Sequence, residues 1–250
     1  MIIFRTVLVL LICSALALIT YKKELLNADG SITAFFIGLF IGIQAGLTLI
    51  ILLLVFLASA FLATRYKFNY KRDRGIEEGF KGERGWTNVL ANGIVPVFVL
   101  LFYDSGRLFT FGSLGTSMAI PLFVGAVAAA ASDTLASEMG MASQKTYLIT
   151  TFEKVEPGTN GGISLYGQMW ALIGSVYTFL VAQAIFYISD FQLLSIELIL
   201  LGSSLAFLGC QVDSLLGATL ERRGILNKSL VNLSAITITV MIFGGLIYVW

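Results

Sequence analysis

The stretch Ser31–Thr64 reads SITAFFIGLFIGIQAGLTLIILLLVFLASAFLAT and contains no charged residue. A membrane-spanning helix needs about 20 mostly apolar residues. This run is therefore long enough to cross a bilayer and too long to do so as one upright helix. Gly42-Ile43-Gln44-Ala45-Gly46 interrupts it, and glycine weakens a helix interior. Two arrangements are open: a tight hairpin of two short helices, or one tilted helix.

Working outward, six further runs are candidates for spans: Ile2–Tyr21, Trp86–Tyr103, Thr116–Met139, Ile163–Ile188, Leu193–Leu220 and Ser229–Trp250. The first has Arg5 ahead of an apolar stretch and Ala15-Leu16-Ala17 before Lys22, which imitates a secretion signal; it is read as the first membrane helix. The fold class expected is all-α, a polytopic helical membrane protein with seven or eight transmembrane helices, in one membrane domain over residues 1–250. Composition agrees. The chain is 57% hydrophobic and only 12% charged, with a mean hydropathy of +0.89, whereas a soluble domain has about a quarter of its residues charged.

Charge orients the bundle. The segment after Thr64 carries Arg65, Lys67, Lys71, Arg72, Arg74, Lys81 and Arg84, and basic loops stay in the cytoplasm. Alternation then puts the loops holding Lys145 and Lys154, and Arg222, Arg223 and Lys228, on the same side. The opposite loops hold Arg107 and Asp190 and little other charge. With a hairpin, Lys22 and Lys23 also fall inside, which favours eight helices. The cytoplasmic excursion at about 65–85 reads as a flexible loop or a short surface helix, its lysines solvated.

A net charge of +1 argues against a nucleic-acid binder, which would carry a basic surface. With no histidine, and with Cys13 and Cys210 alone inside apolar runs, neither a histidine general base nor a disulfide framework or zinc site is available.

Carboxylates inside membrane helices are costly and often functional. Asp133 and Glu138 occur in Ala-Ser-Asp-Thr-Leu-Ala-Ser-Glu-Met-Gly, and Asp213 in Gly-Cys-Gln-Val-Asp-Ser-Leu-Leu-Gly-Ala-Thr, each near the cytoplasmic end of its helix. Each could be a carboxylate paired with a lysine or capping a helix; three on one side suggest a shared function. Asp133 and Glu138 are five apart, so a regular helix points them about 140° from each other. Either the helix breaks there, or one binds metal while the other fixes a partner. Without nitrogen or sulfur ligands, an oxygen-ligated Mg²⁺ is the metal that fits.

Two more segments belong with them. Thr151–Gly162 contains Lys154 and the turn signals Pro157-Gly158 and Asn160-Gly161-Gly162. Its glycines, directly before a helix start, can present N–H groups to an anion, although an ordinary turn looks the same. Arg84-Gly-Trp-Thr-Asn-Val-Leu-Ala-Asn-Gly opens the helix after the basic loop, with Asn88 and Asn92 on one face, before Gly93 and Pro96 that would disturb it. Asn227 and Asn232 open the last helix. Together they describe a cytosol-facing site for Mg²⁺ and phosphate, with lipid beside it.

These motifs carry a resemblance. Arg-Gly-Trp-Thr-Asn-Val-Leu-Ala-Asn-Gly, Ala-Ser-Asp-Thr-Leu-Ala-Ser-Glu-Met-Gly, Pro-Gly-Thr-Asn-Gly-Gly-Ile-Ser-Leu-Tyr-Gly and Val-Asp-Ser-Leu-Leu-Gly-Ala-Thr are similar, in order, to the family called domain of unknown function 92. That family includes the phytyl-phosphate kinase of plant chloroplasts and an animal transmembrane protein. Asp133–Gly140 and Lys154–Gly162 are also loosely similar to segments of dolichol kinases and phosphatidate cytidylyltransferases, which use CTP.

The resemblance implies phosphoryl transfer from CTP, or another nucleoside triphosphate, to a phytyl- or geranylgeranyl-type monophosphate. On that reading Asp133 and Asp213 bind Mg²⁺, Glu138 binds it or orients a partner, and all three are catalytic. Lys154 with Gly158, Thr159, Asn160, Gly161 and Gly162 holds the donor phosphates. Arg84, Asn88 and Asn92 hold the acceptor phosphate or nucleotide. The alternatives are a transporter with the same carboxylates in an ion pathway, and a cytidylyltransferase forming a CDP-lipid.

Overall fold

The computed structural model describes residues 2–79, 81–103 and 114–249. Arg107 and Ser113 lie outside the described residues. The run quoted above folds as two helices, α2 (Ala28–Gln44) and α3 (Leu47–Arg65). The break falls at Gly46, whose φ of +103° is hostile to a side chain. A Cβ there would also sit 2.9 Å from the Arg5 guanidinium. α1 (Ile2–Lys22) precedes them, and a short α4 (Phe68–Arg72) follows within the basic segment.

The remaining helices are α5 (Trp86–Leu101), α6 (Thr116–Gly140), α7 (Leu165–Ile188), α8 (Ile196–Leu216) and α9 (Lys228–Val249). Six of these helices, α1, α3, α6, α7, α8 and α9, are long and apolar enough to cross a membrane. α2 and α5 are apolar but shorter, with 17 and 16 residues, or about 26 and 24 Å at 1.5 Å per residue. The protein is thus an α-helical membrane protein, and the broken run favours the eight-helix alternative. Pro96 does not interrupt α5; membrane helices tolerate proline where neighbours satisfy the freed backbone.

α6 is the hub. It packs on α3, α5, α7, α8 and α9, and its apolar stretch is 89% buried. Small residues make this possible, because lipid supplies no hydrophobic drive and helices associate through close contact. Gly174 of α7 lies against the α6 backbone: a Cβ there would meet Ala131 O at 2.8 Å and Ser132 Cα at 2.9 Å. One turn away, Ser132 Oγ donates to Ala171 O at 2.9 Å. The backbone preceding Asp133 is therefore fixed by contact with α7.

Between α6 and α7 the chain forms a three-stranded antiparallel sheet, in the order β2 (Lys154–Val155), β1 (Thr146–Leu148), β3 (Gly162–Ile163). Four of the interhelical segments, those after α1, α3, α6 and α8, meet at one end of the bundle. Leu26 bridges to Arg84, Glu78 pairs with Lys228 at 2.7 Å, and Gly158 abuts Ile76. Gly161 packs onto Ala218, in the π-helical segment Gly217–Glu221 that continues α8.

Candidate functional site

Two cavities adjoin at this end. The polar one, of about 150 Å³, is lined by Asp133 of α6, Asp213 and Glu221 of α8 and its continuation, Lys228 and Asn232 of α9, and Gly158, Thr159, Asn160, Gly161 and Gly162 of the loop. Ser164, Gly167 and Gln168 complete it at the N-terminus of α7, where Ser164 Oγ accepts from Gly167 N at 3.0 Å. Asp133 and Asp213 line the same side of this cavity and also share the small gap beside it. Two carboxylates brought together away from water repel unless a cation or proton lies between them. One orientation of the Asn232 amide satisfies its neighbours, donating to Asp213 Oδ2 at 3.1 Å and to Lys228 O at 3.0 Å. This leaves a two-carboxylate donor set facing a hydrophilic cavity. It suits Mg²⁺, which takes one or two carboxylates and completes its shell with water and substrate phosphates. Among the described residues no group of three acidic or thiol side chains is gathered in metal-binding geometry.

The loop owes its course to glycine. Gly158 and Gly161 have φ of +87° and +76°, and a Cβ on Gly161 would overlap the backbone of Ala218. The facing segment is a π-helix, a distortion that recurs at functional sites. Gly162 N donates to Thr159 O at 2.8 Å and Ile149 N to Gly161 O at 3.0 Å, which ties the turn to the sheet.

The second cavity is an apolar slot of about 120 Å³ between α1, α2, α3 and α5, lined by Cys13, Phe35, Gly38 and Leu57 among others, with Arg84, Asn88 and Asn92 at its polar end. Arg84 Nη1 donates to Asn88 Oδ1 at 3.3 Å, and Asn92 Nδ2 donates to Asn88 O at 2.9 Å. A small gap lined by Asn92, Asp133, Asp213 and Asn232 lies between the two cavities. Asn92 thus borders the slot and the gap, while both aspartates border the gap and the polar cavity.

Not every expected residue comes to this place. Glu138 is 3% exposed and does not line the polar cavity. α6 runs unbroken through both acids, so the helical offset turns Glu138 away from Asp133. There it receives Lys71 Nζ at 2.6 Å, Thr64 Oγ1 at 3.0 Å and Arg84 Nη2 at 3.5 Å. Of the alternatives open for it, it has the geometry of an orienting residue. Lys154 is exposed on β2 and also lies off the polar cavity. Lys228 lies there instead, paired with Glu78. Burial pushes the Glu78 carboxyl up, but the charge and hydrogen bond of Lys228, helped by Arg84, outweigh it and hold the group below its usual value.

Lys71 corrects the expectation of a solvated loop lysine: it is completely buried. Nothing in its spacing distinguishes it from the six other cations of the basic segment. Lys228 and Asn232 did leave a signal, being four apart and so on one face at the start of α9.

Comparison with known proteins places the chain in a family. The chain is 35% identical to an uncharacterised membrane protein of Methanocaldococcus jannaschii over 96% of its own length and 92% of that protein. It is 31% identical to Protein PGR of Arabidopsis thaliana over 88% of this chain and 81% of that one. It is also 31% identical to the chloroplastic Protein VTE6 of the same plant, over 85% of this chain and 62% of that one. No solved structure matches. The family model of the integral membrane proteins DUF92 matches residues 11–240, and the chain belongs to that family.

Proposed function

We propose that the protein is a membrane-embedded kinase. It transfers the γ-phosphoryl group of CTP, or of another nucleoside triphosphate, to a prenyl monophosphate of the phytyl or geranylgeranyl type. The observation that carries this reading is the junction of an apolar slot with a carboxylate-bearing polar cavity, across a gap that Asn92 and both aspartates line. An acceptor with an apolar chain and an anionic head fits the first, and a nucleoside triphosphate fits the second. The family resemblance points to the same substrate class.

Asp133 and Asp213 would hold Mg²⁺, which when bound offsets phosphate charge. The loop at 158–162 and Lys228, in the place first given to Lys154, would hold the donor phosphates. Arg84, Asn88 and Asn92 would orient the acceptor head. An oxygen of the acceptor phosphate attacks the γ-phosphorus, the bond to the β–γ bridging oxygen breaks, and CDP leaves with that electron pair. A phosphate monoester has a second pKa near 6 and is largely dianionic at pH 7, so no base is required, and positioning with charge neutralisation carries the catalysis. That suits a chain with no histidine.

The site gathers at one end of the bundle, whereas the transporters that move solutes by alternating access bind near the bilayer midplane. We place that end in the cytoplasm on the strength of its basic residues. Single cysteines at Lys154 and Arg222 should resist an impermeant thiol reagent applied to intact cells, and one at Asp190 should react. The reverse pattern would invert the orientation.

The reaction is tested by giving purified protein Mg²⁺, CTP and either geranylgeranyl phosphate or geranylgeraniol. The phosphate should be converted to the diphosphate with release of CDP. The alcohol should react far more slowly, since its hydroxyl stays protonated at pH 7 and needs a base. Equal rates with the two acceptors, or none with either from CTP or any other nucleoside triphosphate, would remove this reading.

A further inference from the structure

Lys71, Glu138 and Arg84 form a buried cluster with two cations and one anion. Lys71 is 0% exposed, Glu138 3% and Arg84 6%. The three protons of the Lys71 ammonium have three acceptors: Glu138 Oε2 at 2.6 Å, Ala63 O at 3.0 Å and Thr64 O at 3.2 Å. Lys71 is therefore saturated and cancels the charge of Glu138 at close range.

Arg84 is left differently. Its Nη2 reaches Thr64 Oγ1 at 3.2 Å and Glu138 Oε1 only at 3.5 Å. Its Nη1 meets the neutral Asn88 amide, and its Nε, buried, has no hydrogen-bond partner. Arg84 also lines the polar end of the apolar slot. Glu78 is paired with Lys228 and Asp213 faces the Asn232 amide, while Arg84 acts on Glu78 and Asp133 only through its charge, with no hydrogen bond or ion pair to either. A buried guanidinium whose nearest carboxylate is already held by a closer lysine is only partly compensated, and a buried N–H without an acceptor adds to that cost. Both costs are relieved by an anion at the end of the slot.

We infer that Lys71 is a positioning residue for an anionic lipid headgroup: by neutralising Glu138 it keeps the Arg84 charge unspent, so that Arg84 binds the phosphate of a single-chain lipid whose tail fills the slot. Without Lys71, Glu138 would turn its charge on Arg84, and the cluster would become neutral. The inference rests on the acceptor site proposed above, but it concerns binding, needs no nucleotide, and stands or falls separately from turnover.

The test is calorimetric titration of the purified protein in lipid nanodiscs with geranylgeranyl phosphate, geranylgeraniol and inorganic phosphate. The lipid phosphate should bind more tightly than either fragment. Lys71→Met should weaken binding of the lipid phosphate at least tenfold and leave that of the alcohol within about twofold. The double variant Lys71→Met/Glu138→Gln, which restores one net positive charge, should recover affinity to within about threefold of the parent. Glu138→Gln alone should bind at least as tightly as the parent, and it keeps the test decisive if Lys71→Met does not fold. A merely structural cluster would give the opposite, with each variant weaker and the double variant weakest, and would overturn the inference. Lipid phosphate and alcohol binding equally well to the parent would overturn it too, as would inorganic phosphate matching the lipid phosphate. Binding that follows the charges without any turnover would sustain the headgroup site and remove the kinase.

Discussion

Asp133→Asn and Asp213→Asn are each expected to reduce prenyl-phosphate turnover at least 1,000-fold, roughly 4 kcal/mol of transition-state stabilisation, while leaving a monodisperse, folded protein. The two carboxylates line the polar cavity and the gap beside it together. Amides of the same shape preserve the packing and remove the charge on which a divalent cation depends. The folded state should survive, because the change also relieves repulsion between two acids held close together. Thermal unfolding in detergent should therefore show no loss of stability, and the midpoint should rise. Turnover at limiting Mg²⁺ is the measurement that separates these effects. Near-parental activity in either variant would remove that aspartate from the catalytic set. Glu138→Gln belongs to a different class, since both of its oxygens are engaged by protein.

The second large effect is expected at Gly161. A side chain there meets a positive φ and the backbone of Ala218 at once, and backbone cannot rotate out of the way as a side-chain tip can. Gly161→Val should push the loop off the π-helical segment and cut the apparent affinity for the donor nucleotide at least 100-fold. Gly75→Ala is the control: its φ is also positive, at +64°, but nothing lies within 4 Å of the added Cβ. It should cost only about 1 kcal/mol of backbone strain, with nucleotide affinity little changed. Titration with CTP, followed by protection of the protein against heat, reports both. Equal losses in the two variants would mean that φ, not the packing of the loop on α8, governs the site.

How much of this could be read from the chain depended on whether a local rule applied. The eight apolar segments follow from hydropathy, and the ambiguity over Ser31–Thr64 was settled by one residue, Gly46, whose backbone conformation is not written in composition. The angular offset between Asp133 and Glu138 was legible from the helical period, and with it the choice that one acid would fix a partner. The identity of that partner was not, because Lys71 looks like any other cation in a mixed-charge loop and is buried only through the turn made by the short α4. Lys154 is marked in the sequence only by preceding the glycines. A strand alternates its side chains, however, and the three-stranded sheet that sets its direction arises from pairings with Thr146 and Tyr147, which periodicity does not reveal. The meeting of Asp133 with Asp213 rests on close packing of α6 and α8, for which small residues are a permissive signal and not a specific one. The apolar slot draws on four helices, and no single segment announces it.

The position of an isotope decides among the candidate reactions. The purified protein would be incubated with Mg²⁺ and geranylgeranyl phosphate, using CTP labelled in parallel at the α- or the γ-phosphorus, and the lipid and aqueous phases counted separately. γ-Label should enter the lipid as a prenyl diphosphate and α-label should remain in the aqueous phase as CDP. α-Label in the lipid, with pyrophosphate released, would instead identify a nucleotidyl transfer, and no label in the lipid from CTP or any other nucleoside triphosphate would contradict phosphoryl transfer altogether.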